Sequence, residues 1–390
     1  MRRALFKIHS YLALAVLIPV FLIALTGSIL VFKFELDALL MPEAASLANK
    51  QYSTTTPSRL SFNSLVATIN ASYPEYEIGS WEFFDDKHES DRVYLIKKGT
   101  EDWYKVYLDP YGNQVLSSPV PLHHDLTDWL LHFHYTLMLN NLWKSSPFIG
   151  LLIGLITALS LMILGITGLI VYRKFWRQFF TLNWDKRPKV MTRRLHRFSG
   201  IWCSPVLLIL GFTGAYFNLF EYLDEVKEHS SVDHHPIMER RLYSEVLNFD
   251  EIIKTSTERI QSFTPTYLFF PTEEGRSLVV YGSVNTSNPF SSDYSSRVSF
   301  DANTGAYQFD YDIRQQSVLW TILDSFRELH FGNFAGIGSK LVWCLVGIGI
   351  CFLSGSGLYM WYGRFFNRSK SKRKRKQHRE TLPYSPELDA

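Results

Sequence analysis

Cysteine is scarce in this chain of 390 residues: three in all, Cys203, Cys344 and Cys351. All three lie inside apolar runs, so no disulfide framework holds the polar segments together. Cys344 and Cys351 share a helix face and read as buried structural thiols. Charge is missing too, from four long stretches: Tyr11–Phe32, Phe148–Tyr172, Gly200–Phe220 and Leu341–Tyr362 hold no Asp, Glu, Lys or Arg. Each is about the ~20 apolar residues that a membrane-crossing helix needs. The absence of a mid-membrane acid or lysine argues against a proton-coupled pump or an uptake transporter. Also missing are His-Glu-x-x-His, Gly-x-Ser-x-Gly, a phosphate-cradling Gly-x-x-x-x-Gly-Lys loop and, ahead of a helix, Gly-x-Gly-x-x-Gly. These gaps exclude the usual metallopeptidase, serine-hydrolase and nucleotide chemistries, and nothing points to nucleic acid.

What is present is a duplication. Lys7-Ile-His-Ser-Tyr-Leu at the start resembles Arg194-Leu-His-Arg-Phe-Ser further on, and setting His9 on His196 is a shift of 196 − 9 = 187. The same shift sets Thr26-Gly27 on Thr213-Gly214 and Asp37 on Asp224. Basic residues flank the apolar windows at Arg2, Arg3 and Lys7, along residues 173–197, and after residue 363, which places these ends in the cytoplasm. The formal charge of +3 conceals a basic inside and a more acidic outside. The expected fold class is therefore membrane α-helical, with four transmembrane helices as two tandem two-helix repeats, each carrying a periplasmic α+β module. The expected divisions are a cytoplasmic end and first span (1–33), module one with a histidine-bearing aromatic segment (34–147) and span two (148–173). A cytoplasmic loop (174–195), span three (196–220), module two (221–339), span four (340–362) and a basic tail (363–390) follow. The first span lacks a small-residue cleavage site and reads as uncleaved.

The outward segments carry period-two alternation. Ile78–Phe84, Arg92–Lys97, Tyr104–Leu108 and Gln114–Leu116 read as strands after a short helix that begins at Ser61. In the second copy Phe249–Phe263 reads as helix, and Tyr267–Phe270, Leu278–Tyr281 and the run from Arg297 read as strands. The Asn/Ser-rich stretch Asn285–Ser296 is expected to bulge from the module. Pro19 and Pro205 are expected to kink their helices.

Histidine carries the chemistry. His9 and His196 open the two incoming helices, while His132 or His134 in copy one and His330 in copy two precede the outgoing helices. With both copies in one orientation, a two-fold axis along the membrane normal brings equivalent residues face to face. That gives one histidine pair at each membrane face, the arrangement in which facing helices build a cofactor site. Paired neutral imidazoles suit the iron of non-covalent b-type haem, two per chain. Cys-x-x-Cys-His does not occur, so covalent attachment is excluded. His134 is the better partner of His330, with His132 its rival. The plainer reading makes each histidine a headgroup contact at the interface. His123, His124, His229, His234 and His235 read as solvated loop residues.

Leu195-His196-Arg197 with Ser199-Gly200, the Thr-Gly of each incoming helix, and Leu329-His330-Phe331-Gly332 together resemble the PepSY-associated transmembrane family. The module endings Tyr107-Leu-Asp-Pro-Tyr-Gly and Phe300-Asp-Ala-Asn-Thr-Gly resemble the closing turn of PepSY modules. The family includes inner-membrane ferrisiderophore reductases and iron-regulated membrane proteins. The resemblance implies an oxidoreductase of the ferric-chelate reductase type, embedded in inner-membrane lipid. It would pass electrons from a cytoplasmic or quinol donor, through haem held by His9, His196, His134 and His330, to a ferric siderophore docked between the outward modules. A homodimer is left open. One departure stands out: many relatives carry a histidine near the inner end of the second span, where this chain has Tyr172. The alternative is a non-enzymatic membrane-anchored PepSY protein that binds or regulates a periplasmic partner.

Overall fold

The computed structural model describes residues 2–52, 58–84, 86–143, 146–172, 180–230 and 237–380, without the side chains of 228–230 and 366–380. His234, His235, the side chain of His229, the first part of the basic connection (173–179) and the chain end lie outside it.

The fold class differs from the expected membrane α-helical protein of four transmembrane helices with a small α+β module on each repeat. Its largest element is one antiparallel sheet of nine strands, in the order β4-β3-β2-β1-β6-β7-β8-β9, with β5 (Val120–Pro121) pairing β3. Copy one supplies β1 (Tyr76–Glu82), β2 (Asp91–Lys97), β3 (Trp103–Asp109) and β4 (Gln114–Val115). Copy two supplies β6 (Phe263–Phe269), β7 (Leu278–Val284), β8 (Ser296–Phe300) and β9 (Tyr307–Tyr311). The halves join where Ser80, Trp81 and Glu82 of β1 pair with Phe269, Leu268 and Tyr267 of β6. This ladder joins the two modules into one sheet.

Period-two alternation decides the two faces of the sheet. Ile78, Val93, Leu95, Val106 and Leu108, with Leu268, Val280 and Val298, point to one side. They pack there beneath α4 (Phe62–Ser72) and α8 (Phe249–Arg259). The two helices cap one another: Asp250 accepts from the backbone N–H of Phe62 at 2.7 Å, and the Asn63 side chain accepts from that of Phe249 at 2.7 Å. Each cap supplies a partner to an otherwise orphaned helix-start amide, a contribution of about 1 kcal/mol. Arg92, Lys105 and Glu82 occupy the opposite face. It rests on α3 (Lys33–Leu40), α5 (Leu126–Thr136) and α9 (Val318–Phe331) through polar contacts: Arg92 over the Phe34 ring, Lys105 on Asp125, and Arg327 over the Tyr294 ring. The Asn/Ser-rich stretch folds back instead of bulging free, with Asn288 donating to Ser325 at 2.9 Å and Ser292 to Asp324 at 2.6 Å.

Among the described residues three helices are long and apolar enough to cross a membrane: α6 (Ile149–Val171), α7 (Pro188–Ser230) and α10 (Gly336–Glu380). The first window is not one helix. It divides into α1 (Arg2–Ala15) and α2 (Leu17–Leu30), which meet at 69°. They make a fourth span only if the bent pair is taken as one. Pro19 explains the position of the break. It has no N–H to give to the carbonyl four residues earlier, at Ala15, and its ring clashes there; Ala15 is the last residue of α1. Pro205, by contrast, lies inside α7, which runs on through it.

Candidate functional site

Two pairs of helices close around histidine in each repeat. In copy one, α5 lowers His134 onto α2, where its Nδ1 lies 3.0 Å from Thr26 Oγ1. In copy two, α9 brings His330 onto α7, with Nδ1 2.8 Å from Thr213 Oγ1. At the other end of the spans, His9 of α1 meets Thr167 of α6 at 3.0 Å and His196 of α7 meets Ser356 of α10 at 2.8 Å, again through Nδ1. Each hydroxyl-bearing residue is followed by a glycine: Gly27, Gly214, Gly168 and Gly357. A Cβ on any of these would stand 2.9, 3.2, 3.5 or 3.6 Å from Cε1 of the ring it faces, in that order. The ring therefore lies against bare backbone, close approach being the purpose a glycine serves in membrane helices.

The hydroxyl protons are spent on the helix itself. Thr26 donates to Leu22 O at 2.9 Å, Thr167 to Ile163 O at 2.7 Å and Thr213 to Ile209 O at 2.8 Å. Ser356 makes only a longer bond, to Leu353 O at 3.3 Å.

Across the repeats, the His134 and His330 rings stand 6.3 Å apart, centroid to centroid, and are inclined at 64°. An imidazole nitrogen binds a first-row metal at about 2 Å, with the ring centre about 1 Å beyond, so two imidazoles on opposite sides of one metal would have centroids roughly 6 Å apart. The observed separation fits that donor set. Phe217 packs edge-on against His330 at 5.4 Å and Phe331 at 5.9 Å, giving the pair an aromatic wall.

His132 is separated from this arrangement. Two residues along a helix turn the side chain by about 200°, and His132 stacks on His123 at 4.0 Å with Nδ1 3.1 Å from the Tyr135 hydroxyl. Burial, with His123 beside it, pulls its pKa down to about 4. His124 sits exposed beside Asp125. Among the described residues no cluster of three or more His, Cys, Asp or Glu could hold a metal ion.

A charged clamp fixes α5, and with it His134. Lys33 bridges Asp37 at 2.8 Å and Asp128 at 2.7 Å; Lys105, from β3, reaches Asp125 at 2.8 Å and also bonds Asp128. Thr127 donates to the fully buried Asp37. Burial would raise the Asp128 pKa, but Lys33 and Lys105 outweigh it and the net shift is downward. In the outgoing connection of copy two, the Trp343 indole donates to Leu329 O at 2.8 Å, and Gly332, at φ 75°, ends α9 in the left-handed conformation.

Tyr172, at the C-terminal end of α6, carries the Arg197 guanidinium over its ring at 5.1 Å, one residue from His196. In the sequence Thr26 and Thr213 stand out through the duplication and the family resemblance, not as partners of histidine, and Thr167 and Ser356 do not stand out at all. Their signal is a hydroxyl directly before a glycine in each outgoing helix, Thr167-Gly168 and Ser356-Gly357.

Comparison with protein families finds a match to the one described as PepSY-associated TM region, over residues 6–364. No curated protein matches the chain.

Proposed function

The chain belongs to the PepSY-associated TM family, and we propose that this membrane protein is a haem-bearing electron carrier that reduces an Fe(III)-siderophore on the outward side of the cytoplasmic membrane. The observation that carries the reading is the 6.3 Å pairing of His134 with His330, contributed by different repeats. On this reading His134 and His330 hold one b-type haem, and His9 and His196 hold a second at the inner face. Haem supplies one-electron chemistry when bound. The chain's own residues position the ligands: the serine and threonine hydroxyls hold Nδ1, the glycines admit the rings, and the Lys33–Asp128–Lys105 clamp anchors α5.

The basic flanks of α1, α7 and α10 support cytoplasmic termini and an outward sheet. Electrons would then enter from a cytoplasmic or quinol donor near His9 and His196. The substrate is ferric iron in hard oxygen ligands, which hold Fe(II) less well, so reduction releases it. On this reading His132, stacked on His123, is not a ligand. A purely structural anchor for an outward partner would need neither histidine pair, and no observation favours it specifically.

The test is haem stoichiometry in protein purified after growth with ample haem precursor. Two haems per chain with reduced b-type bands are expected, falling to one in either His330→Ala or His196→Ala. Wild-type protein without haem ends this reading.

A further inference from the structure

Four histidines from four different helices meet a neighbouring helix in the same way, and the repetition is more informative than any one contact. At Thr26, Thr167 and Thr213 the hydroxyl proton is committed to the carbonyl four residues back, at 2.9, 2.7 and 2.8 Å. A hydroxyl has one proton to give. Having given it to the helix, its oxygen can only accept, so the imidazole atom 2.8–3.0 Å away, Nδ1 in every case, must be the one that carries hydrogen. A neutral imidazole with hydrogen on Nδ1 has its lone pair on Nε2. The glycine after each hydroxyl keeps the ring against the helix, with Cε1 within 3.6 Å of where a Cβ would sit.

From this we infer that Thr26, Thr167 and Thr213, with Ser356 as a looser fourth, are positioning residues that lock the histidine tautomer and present Nε2 as the donor. The inference rests on the haem reading for its purpose, though not for its geometry. It goes beyond ligand identity, because it assigns the control of ligation to hydroxyls whose other bond is to their own helix. A hydroxyl acceptor carries no charge, unlike the carboxylate often found behind a metal-bound histidine, so the ligands stay neutral imidazoles instead of gaining imidazolate character. The four seats are also unequal. Ser356 holds its carbonyl at 3.3 Å, three residues back, and has no methyl to restrict its rotor. Its hydroxyl is the freest to turn and offer its proton to Nδ1 of His196, which would put the imidazole hydrogen on the donor nitrogen. The His196 seat is therefore the weakest of the four.

Two measurements on full-length detergent-solubilised protein test this. The first uses haem-free protein labelled with 15N-histidine. The Nδ1–H tautomer is expected at His330 in wild type and in Thr213→Ser, with loss of that single-tautomer signature in Thr213→Val, which keeps the shape and removes the acceptor. The second follows haem transfer to excess apomyoglobin. Thr213→Val and Thr26→Val are expected to release the outer haem about 10–100-fold faster than wild type, with Thr213→Ser within a few-fold of wild type and Ser356→Thr slowing release of the inner haem. An Nε2–H tautomer at His330 in the wild-type protein overturns the inference, as does release from Thr213→Val at the wild-type rate. Wild-type protein that shows the Nδ1–H tautomer but takes up no haem supports the seat and sinks the electron-carrier reading, so the two fail separately.

Discussion

Alanine at Gly27 sets two known effects against each other. A Cβ there would lie 2.9 Å from His134 Cε1, where ordinary contact begins at 3.4 Å, so the ring must retreat by 3.4 − 2.9 = 0.5 Å. At Gly168 the same Cβ would stand 3.5 Å from His9 Cε1, and at Gly357 it would stand 3.6 Å from His196 Cε1, so nothing need move. Overpacking a filled site costs about 1–3 kcal/mol, while alanine in place of glycine favours a helix by up to about 1 kcal/mol. Gly27→Ala should therefore lose about 0–2 kcal/mol, and Gly168→Ala should gain up to about 1 kcal/mol. Thermal unfolding of haem-free protein in detergent gives the order: Gly168→Ala at or above wild type, Gly27→Ala below it. A ligand site tolerates only about 0.5 Å of displacement, so on the haem proposal Gly27→Ala should also lose the haem assigned to His134 and His330 while Gly168→Ala keeps the one assigned to His9 and His196. Equal stability in the two variants would refute the argument, because it would mean that His134 does not lie against Gly27.

Three other perturbations have equally definite outcomes. Asp91 is fully buried, paired to Arg59 and bonded by the Trp81 indole at 2.9 Å; Asp91→Ala should destabilise the sheet by about 3 kcal/mol, the low end for a broken buried pair because Arg59 is partly exposed, read as faster limited proteolysis of the strand-bearing region. Pro19→Ala restores the N–H that Ala15 O lacks and should open the 69° bend toward a straight helix, seen as a longer spin-label distance between residues 4 and 29. Glu328 has its pKa raised to about 7, chiefly by burial, with Asp293 and Asp324 adding to it and Arg327 opposing. The folded state then holds a proton that the unfolded state has released, so stability should be full below the ordinary carboxylate range and fall as pH rises toward 7. Glu328→Gln should flatten that slope in a pH series of unfolding curves.

Much of this architecture was legible in the residues, for a physical reason. The alternation in Arg92–Lys97 and Tyr104–Leu108 encodes which side of a strand is dry, and those strands appear as β2 and β3. Helix spacing shows that only one of His132 and His134 can face a given neighbour, but it does not say which. The joining of β1 to β6 was not legible. Strand pairing is made by backbone amides, which every sequence possesses, so Ser80–Glu82 carry no mark of their partner. The break in the first apolar window was half visible: Pro19 was noted, but its consequence falls four residues upstream, at Ala15. A span count taken from apolar length alone could not register it, nor could it weigh the sheet against the helices. The hydroxyl seats at Thr167 and Ser356 were hidden because a small polar residue in an apolar helix is common, and its partner lies 158 or 160 positions away.

The ladder between β1 and β6 has one more consequence. A half-length polypeptide ending before the second copy would leave the amides of Ser80–Glu82 bare, an open strand edge that recruits other chains. Its most complementary recruit would be its own twin, and the quality of that union would rise and fall with concentration. Tethering both copies in tandem makes the encounter intramolecular. The finished protein thus keeps the symmetry of a dimer while being free of the dilution that dissolves one, and each copy can drift in sequence without losing its companion.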